Sequence, residues 1–275
     1  MIRTNKRLRT VRGFTLAETL ITLGIIGVVA ALTLPSLIQN YKKKLVETKL
    51  KETYSILSQM MQSSIAENGE SINWKYAKMG DNSYTEDAFF QTYLAEHVKL
   101  AYTCPRRTSV YQKEYNKGIC RNHNTDEFIT QDGAKVNWSN MTENSKKYVL
   151  PNGTSFYIET RWGIPASSIQ DDGYLNYIIF VVDLNINNNK ALFGRDIFLF
   201  HYMEKTETMQ SSRYMNFKSG NRWHTLSCRR LDRERAIDDC KKGSLGTAGG
   251  GYDAGCTTLI MCNGFLIPDD YPIKF

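Results

Sequence analysis

The stretch RGFTLAETLITLGIIGVVAALTLPSL, residues 12–37, constrains this chain most, because no charged side chain occurs from Thr19 to Tyr41. Read as a helix from Phe14 to Leu34, it spans roughly 31 Å, close to the hydrocarbon thickness of a bilayer. A secretory signal peptide has a shorter apolar stretch, about 7 to 15 residues, and small residues at its cleavage site, so ordinary signal-peptide removal is not expected. Arg3, Lys6, Arg7, Arg9 and Arg12 precede the run, and the positive-inside tendency places Met1 to Arg12 in the cytoplasm and the chain after about Asn40 outside. No second apolar run of comparable length follows, so a single pass is expected.

The 275 residues are enough for one large domain or two small ones, so size excludes neither a catalyst nor a structural protein. A formal charge of +7 invites an anionic partner, but five of the cations lie in the first thirteen residues. The remainder holds 30 basic against 28 acidic side chains and is nearly balanced. Cys104, Cys120, Cys228, Cys240, Cys256 and Cys262 all fall on the expected outer side, where an even number suits a disulfide framework. Sequence leaves the connectivity open; short local loops give the expectation Cys104–Cys120, Cys228–Cys240 and Cys256–Cys262. Zinc is the rival reading, and the absence of a CxxC pair and the irregular spacing count against it.

The N-terminal stretch resembles the cleavage and methylation segment of type IV pilins and type II secretion pseudopilins. In that family a basic leader ends in Gly, Phe usually follows, and a Glu stands four positions later; Gly13, Phe14 and Glu18 match each position, and Pro35 falls where many members carry a kinking proline. The likeness covers about a tenth of the chain. It implies cleavage between Gly13 and Phe14 by a membrane-embedded prepilin peptidase and N-methylation of Phe14. It further implies assembly with other pilin or pseudopilin subunits through an inner-membrane platform. The localisation implied is a bacterial inner membrane, with the head in the periplasm or, after assembly, on the cell surface.

Glu18 gains a role from that likeness. A lone carboxylate in an apolar bundle is costly, and pairing with a cation recovers part of the cost. No other cation occurs between Phe14 and Tyr41, so the implied partner is the amine of Phe14, in the same or a neighbouring subunit. The plainer alternative is that Glu18 reaches the membrane interface from the end of the segment.

After Pro35, Leu45, Tyr54, Leu57, Met61 and Ile65 recur mostly at three- and four-residue steps between Lys42, Lys43, Lys44, Lys49, Lys51 and Glu52, which predicts an amphipathic helix stopping at Asn68 and Gly69. Thr85 to Leu100 reads as a short helix, and Cys104 to Lys147 as a disulfide-tied connection. Thr154–Trp162, Asn176–Asp183 and Asp196–Met203 read as strands, the first led in by the turn Pro151-Asn152-Gly153. GSLGTAGGGYDAGC, residues 243–256, reads as loop and lacks the Lys of a phosphate-binding loop. The expected class is α+β: a long N-terminal transmembrane and amphipathic helix packed on a small antiparallel sheet with disulfide-tied loops, as pilin resemblance also implies. Expected divisions are a leader at 1–13, an apolar assembly half at 14–38, an amphipathic half at 39–68 and a head at 69–275.

Asp183, Asn185, Asn187 and Asn189 alternate, with Asp196 beyond, and alternating oxygen side chains are how several loops supply calcium ligands. Asn188 stands where an EF-hand has Gly, and no acid closes the loop; the alternative is an Asn-rich turn between strands. Some pseudopilins bind calcium near the sheet, so calcium is the one cofactor candidate. His97, His123, His201 and His224 fit neither HExxH nor a GxSxG nucleophile signature, and no enzyme is expected. Arg106, Arg107, Lys146, Lys147, Arg229, Arg230, Lys241 and Lys242 are paired basic sites that nucleic acid would use, although solvated surface is the simpler reading. Three roles follow: a filament subunit of a pilus or secretion system; a minor tip subunit whose head binds DNA, a surface or a secreted protein; or a signal-anchored outer domain that never polymerises.

Overall fold

The computed structural model describes residues 13, 15–77, 84–104, 120, 128–129, 146–165, 174–184, 191–203, 207–211, 213–216, 222–225, 228, 232–242 and 255–275. Its longest element is α1, Leu16–Asn68, which runs without a break through Pro35. By contacts the chain divides into residues Met1–Lys42 and Lys43–Phe275, so the amphipathic half of α1 belongs with the head rather than with the apolar half.

In the first unit, α1 is apolar on all sides. Leu20, Ile21, Leu23, Ile25, Ile26, Val28 and Val29 are all exposed, which is the pattern of a helix whose apolar surroundings come from outside the chain. This helix is long and apolar enough to cross a bilayer.

In the second unit, α1 presents one apolar stripe to a sheet. The buried positions are Val46, Glu47, Leu50, Thr53, Leu57, Met60, Met61 and Ser64, mostly at steps of three and four. Of the expected stripe, Leu57 and Met61 are buried, while Leu45, Tyr54 and Ile65 sit at its edge, half-buried. The helix stops at Asn68 because Gly69 adopts φ +76°, a conformation that costs glycine little, and its N–H donates to the Ile65 carbonyl.

The sheet has six strands in the order β1-β3-β4-β5-β7-β8, every neighbouring pair antiparallel. Its strands are β1 (Tyr102–Thr103), β3 (Tyr148–Val149), β4 (Ser155–Pro165), β5 (Tyr174–Asp183), β7 (Ile197–Met203) and β8 (Thr208–Ser211). β4, β5 and β7 are the three strands foreseen. β1, β3 and β8 are too short to show an alternation in sequence. Two small pairs stand apart, β2 (Phe128–Ile129) parallel with β6 (Ala191–Leu192), and β9 (Arg213–Asn216) antiparallel with β10 (Arg222–Thr225).

Side chains alternate between the faces of the sheet. Tyr148, Phe156, Ile158, Ile178, Phe180, Val182, Phe198, Phe200 and Tyr202 form one core with the α1 stripe. Tyr54 joins helix to sheet through an edge contact with Phe200 at 5.5 Å and a hydroxyl donated to the Met209 carbonyl. The expected helix at Thr85 to Leu100 is α2, Glu86–Tyr93, capped by the Thr85 hydroxyl, followed by a single 3-10 turn over Ala95–His97. Its Phe89 and Phe90 are fully buried, and Phe90 stacks on Tyr148 at 3.8 Å.

The C-terminal region contains two helices that sequence reading treated as tail, α3 (Arg233–Lys242) and α4 (Gly255–Cys262). Residues 243–254 of the expected loop lie outside the described residues, but Gly255 and Cys256 open α4. A Cβ on Gly255 would stand 2.3 Å from the Ala236 carbonyl oxygen, so glycine lets α4 close onto α3. Thr257 on α4 accepts the Leu199 N–H through its hydroxyl, which satisfies β7 where β8 no longer covers it.

All six cysteines are bonded, as Cys104–Cys120, Cys228–Cys262 and Cys240–Cys256. The expected Cys228–Cys240 and Cys256–Cys262 pairs are therefore wrong. Cys256 and Cys262 both lie on α4, where six residues of rise separate them by about 9 Å, beyond the reach of a disulfide. Cys240 is buried between α3 and α4, and its partner is the Cys256 that faces it.

Candidate functional site

The N-terminal site begins at Gly13, which is exposed; Phe14 and the basic leader lie outside the described residues. Thr15 stands just before α1. Its N–H and its hydroxyl both donate to Glu18 Oε2 at 2.9 Å, and the Glu18 N–H donates to Thr15 Oγ1 at 3.2 Å. This reciprocal pair is a capping box, and it satisfies donors that the start of a helix leaves unpartnered. Glu18 thus has a local role apart from any amine. The T-x-x-E signature of such a box is present in the sequence at Thr15 and Glu18.

Thr19, Thr22 and Thr33 turn their hydroxyls back onto carbonyls one turn earlier, so these three hydroxyls are satisfied inside the helix. That arrangement is what an apolar medium requires.

In the head, the second face of the sheet carries charge. Lys147 Nζ lies 3.2 Å from Asp183 Oδ2, with both side chains almost wholly out of water. Asp196 is buried too; its Oδ2 accepts the Leu192 N–H at 2.9 Å and the Arg195 guanidinium at 2.8 Å. Burial pushes the Asp196 carboxyl above the ordinary carboxylate value, and the neighbouring charge of Asp183 adds to the shift against the pull of Leu192 and Arg195. Lys49 from α1 donates to the Leu184 carbonyl at 3.0 Å.

These contacts bear on the calcium candidates. Asn185, Asn187 and Asn189 lie outside the described residues. Asp183 and Asp196 each meet a cation of the chain itself, and among the described residues no three His, Cys, Asp or Glu side chains converge to hold a metal. The paired basic sites also separate. Lys147 is buried rather than on the surface, Lys146 pairs with Asp87 at 2.8 Å, and Lys241 is exposed. Arg106, Arg107, Arg229 and Arg230 lie outside the described residues. His97 faces Glu67 at 3.6 Å, His201 is buried in β7, and the backbone of His224 is in β10. His123 lies outside the described residues.

A buried carboxylate that sequence reading passed over joins α1 to the C-terminal segment. Glu47 Oε1 accepts the Ile267 N–H at 2.9 Å across 220 residues, with Lys44 Nζ 3.4 Å from Oε2. Beside it, Arg233 and Asp270 form a two-pronged pair at 2.8 and 2.5 Å.

An α+β protein with a long N-terminal apolar helix, a six-stranded antiparallel sheet and three disulfides is the class these features define. The chain belongs to a family described as "Family of unknown function (DUF6613)", whose model matches residues 36–275. The matched region begins one residue after Pro35 and so contains the head without Gly13, Phe14 or Glu18. No curated protein and no solved structure matches the chain.

Proposed function

We propose that this protein is a prepilin-type filament subunit, processed between Gly13 and Phe14, methylated at Phe14, and assembled through the apolar half of α1 with its head outside the inner membrane. The observation that carries the reading is the segment GFTLAE at the start of an apolar helix that continues, as an amphipathic helix, into the core of a disulfide-bonded head. Each part answers a physical need. Gly13 leaves an open backbone for a peptidase, and removing the leader takes away five cations that a filament core could not house. Neighbouring helices then replace lipid as the apolar surroundings of residues 14–38.

In this reading Glu18 has two states. In the uncleaved chain it caps its own helix through Thr15; after cleavage the new amine of Phe14 becomes a charged partner beside the same carboxylate. Pairing with the amine of an adjacent subunit fixes the axial register, because a subunit docked at the wrong height leaves a buried charge unmatched.

Mass spectrometry of the mature N-terminus tests the proposal. A methylated Phe14 is the expected result, and a membrane-bound protein that retains Met1 to Gly13 in cells with an active prepilin peptidase overturns it in favour of a plain signal anchor.

A further inference from the structure

The face of the sheet turned away from α1 holds a pair of opposite charges that the filament reading does not use. Lys147 stands immediately before β3 and Asp183 ends β5, with β4 between them. Lys147 Nζ lies 3.2 Å from Asp183 Oδ2, and the two side chains are 1% and 2% exposed. Tyr157 of β4 is beneath, its ring centroid 6.0 Å from Nζ. Both ends are held firmly: the Cys104 N–H donates to the Lys147 carbonyl, Tyr148 is packed on Phe90, and Asp183 is locked in register opposite both Ser155 and Ile197.

An amine and a carboxyl group fixed in contact are the two halves of an amide. Fixed geometry removes the entropic obstacle to joining them. Exclusion of water opposes the reverse hydrolysis, and loss of both charges ends the desolvation penalty that a buried ion pair carries.

We propose that Lys147 and Asp183 form an intramolecular isopeptide bond between Nζ and Cγ. Nζ attacks Cγ, one carboxyl C–O bond breaks, and the departing oxygen leaves as water carrying two of the three ammonium hydrogens. The third hydrogen stays on the amide nitrogen. One positive and one negative charge disappear together, and no oxidant, reductant or cofactor is consumed. The product ties β3 to β5 across β4, linking residues 36 apart in sequence by a bond that reduction does not open. It gives the head a cross-link independent of its three disulfides, and it stands whether or not the chain polymerises.

The test uses the full-length protein in detergent, denatured, reduced and alkylated, then digested with trypsin. The expected result is a branched peptide joining Lys147 to Asp183, with a mass about 18 Da below that of its two parts and no cleavage after Lys147. In Lys147→Arg and Asp183→Ala the branched peptide disappears. Recovery of an unmodified peptide ending at Lys147 from folded wild-type protein overturns the proposal, and this reading needs no variant to fold.

Discussion

Replacing Glu47 with alanine isolates the link between α1 and the C-terminal segment. Glu47 is 8% exposed, and its Oε1 is the acceptor for the Ile267 N–H. The partner Lys44 is largely exposed, so that ion pair contributes little. The cost of Glu47→Ala is therefore that of a buried N–H stripped of a charged acceptor, about 2 to 3 kcal/mol. Alanine also leaves space beside Ile267, which adds to the loss. For a domain of this size the melting temperature of the purified chain falls by roughly 4 to 12 °C. Glu47→Gln keeps an acceptor oxygen and recovers at least half of that. The Ile267 amide, followed by hydrogen exchange, is protected in the wild type and in Glu47→Gln and exchanges rapidly in Glu47→Ala. Equal melting temperatures for all three proteins, or unchanged protection in Glu47→Ala, would refute the assignment of this contact as a stabilising one.

Non-reducing peptide mapping is expected to return Cys228 joined to Cys262 and Cys240 joined to Cys256; a Cys256–Cys262 peptide would contradict a helical α4. Gly255→Ala forces α4 away from the Ala236 carbonyl and is expected to cost about 1 to 3 kcal/mol in denaturant unfolding, with α3 and α4 the first elements to lose exchange protection. Thr15→Val removes the cap of α1 but leaves Glu18 in place. If Glu18 acts in assembly through an amine, Thr15→Val still forms filaments while Glu18→Ala does not, and both leave cleavage after Gly13 intact. Asp196 gives a pH signature: its raised folded value means that its stabilising share is complete below the unfolded value, about pH 4, and is lost as pH rises through the folded value. The unfolding free energy of the wild type minus that of Asp196→Asn is therefore expected to fall between about pH 3 and 7, and a difference that stays constant over that range would remove Asp196 as a source of pH dependence.

Features governed by near neighbours in the chain were legible in sequence. The apolar length of residues 14–34, the stop at Gly69, the helix that follows Thr85 and the strands β4, β5 and β7 all follow from patterns within a few residues, where periodicity and backbone preference act. The capping box at Thr15 and Glu18 was equally local. What tertiary structure decided was pairing at a distance. The buried stripe of α1 keeps the expected Leu57 and Met61 but runs through Val46 and Leu50 rather than Leu45 and Tyr54, because the sheet selects which apolar side chains it covers. The disulfides follow the packing of α3 on α4, and the two-residue strands exist only because a neighbour supplies hydrogen bonds, β4 to β3 and β3 to β1. Lys147 looked like one of a surface pair, and Asp183 like part of a polar turn. They meet because β4 and β5 bring the start of a short strand and a strand end onto one buried face, and sequence patterns carry no information about which charges such a face will enclose.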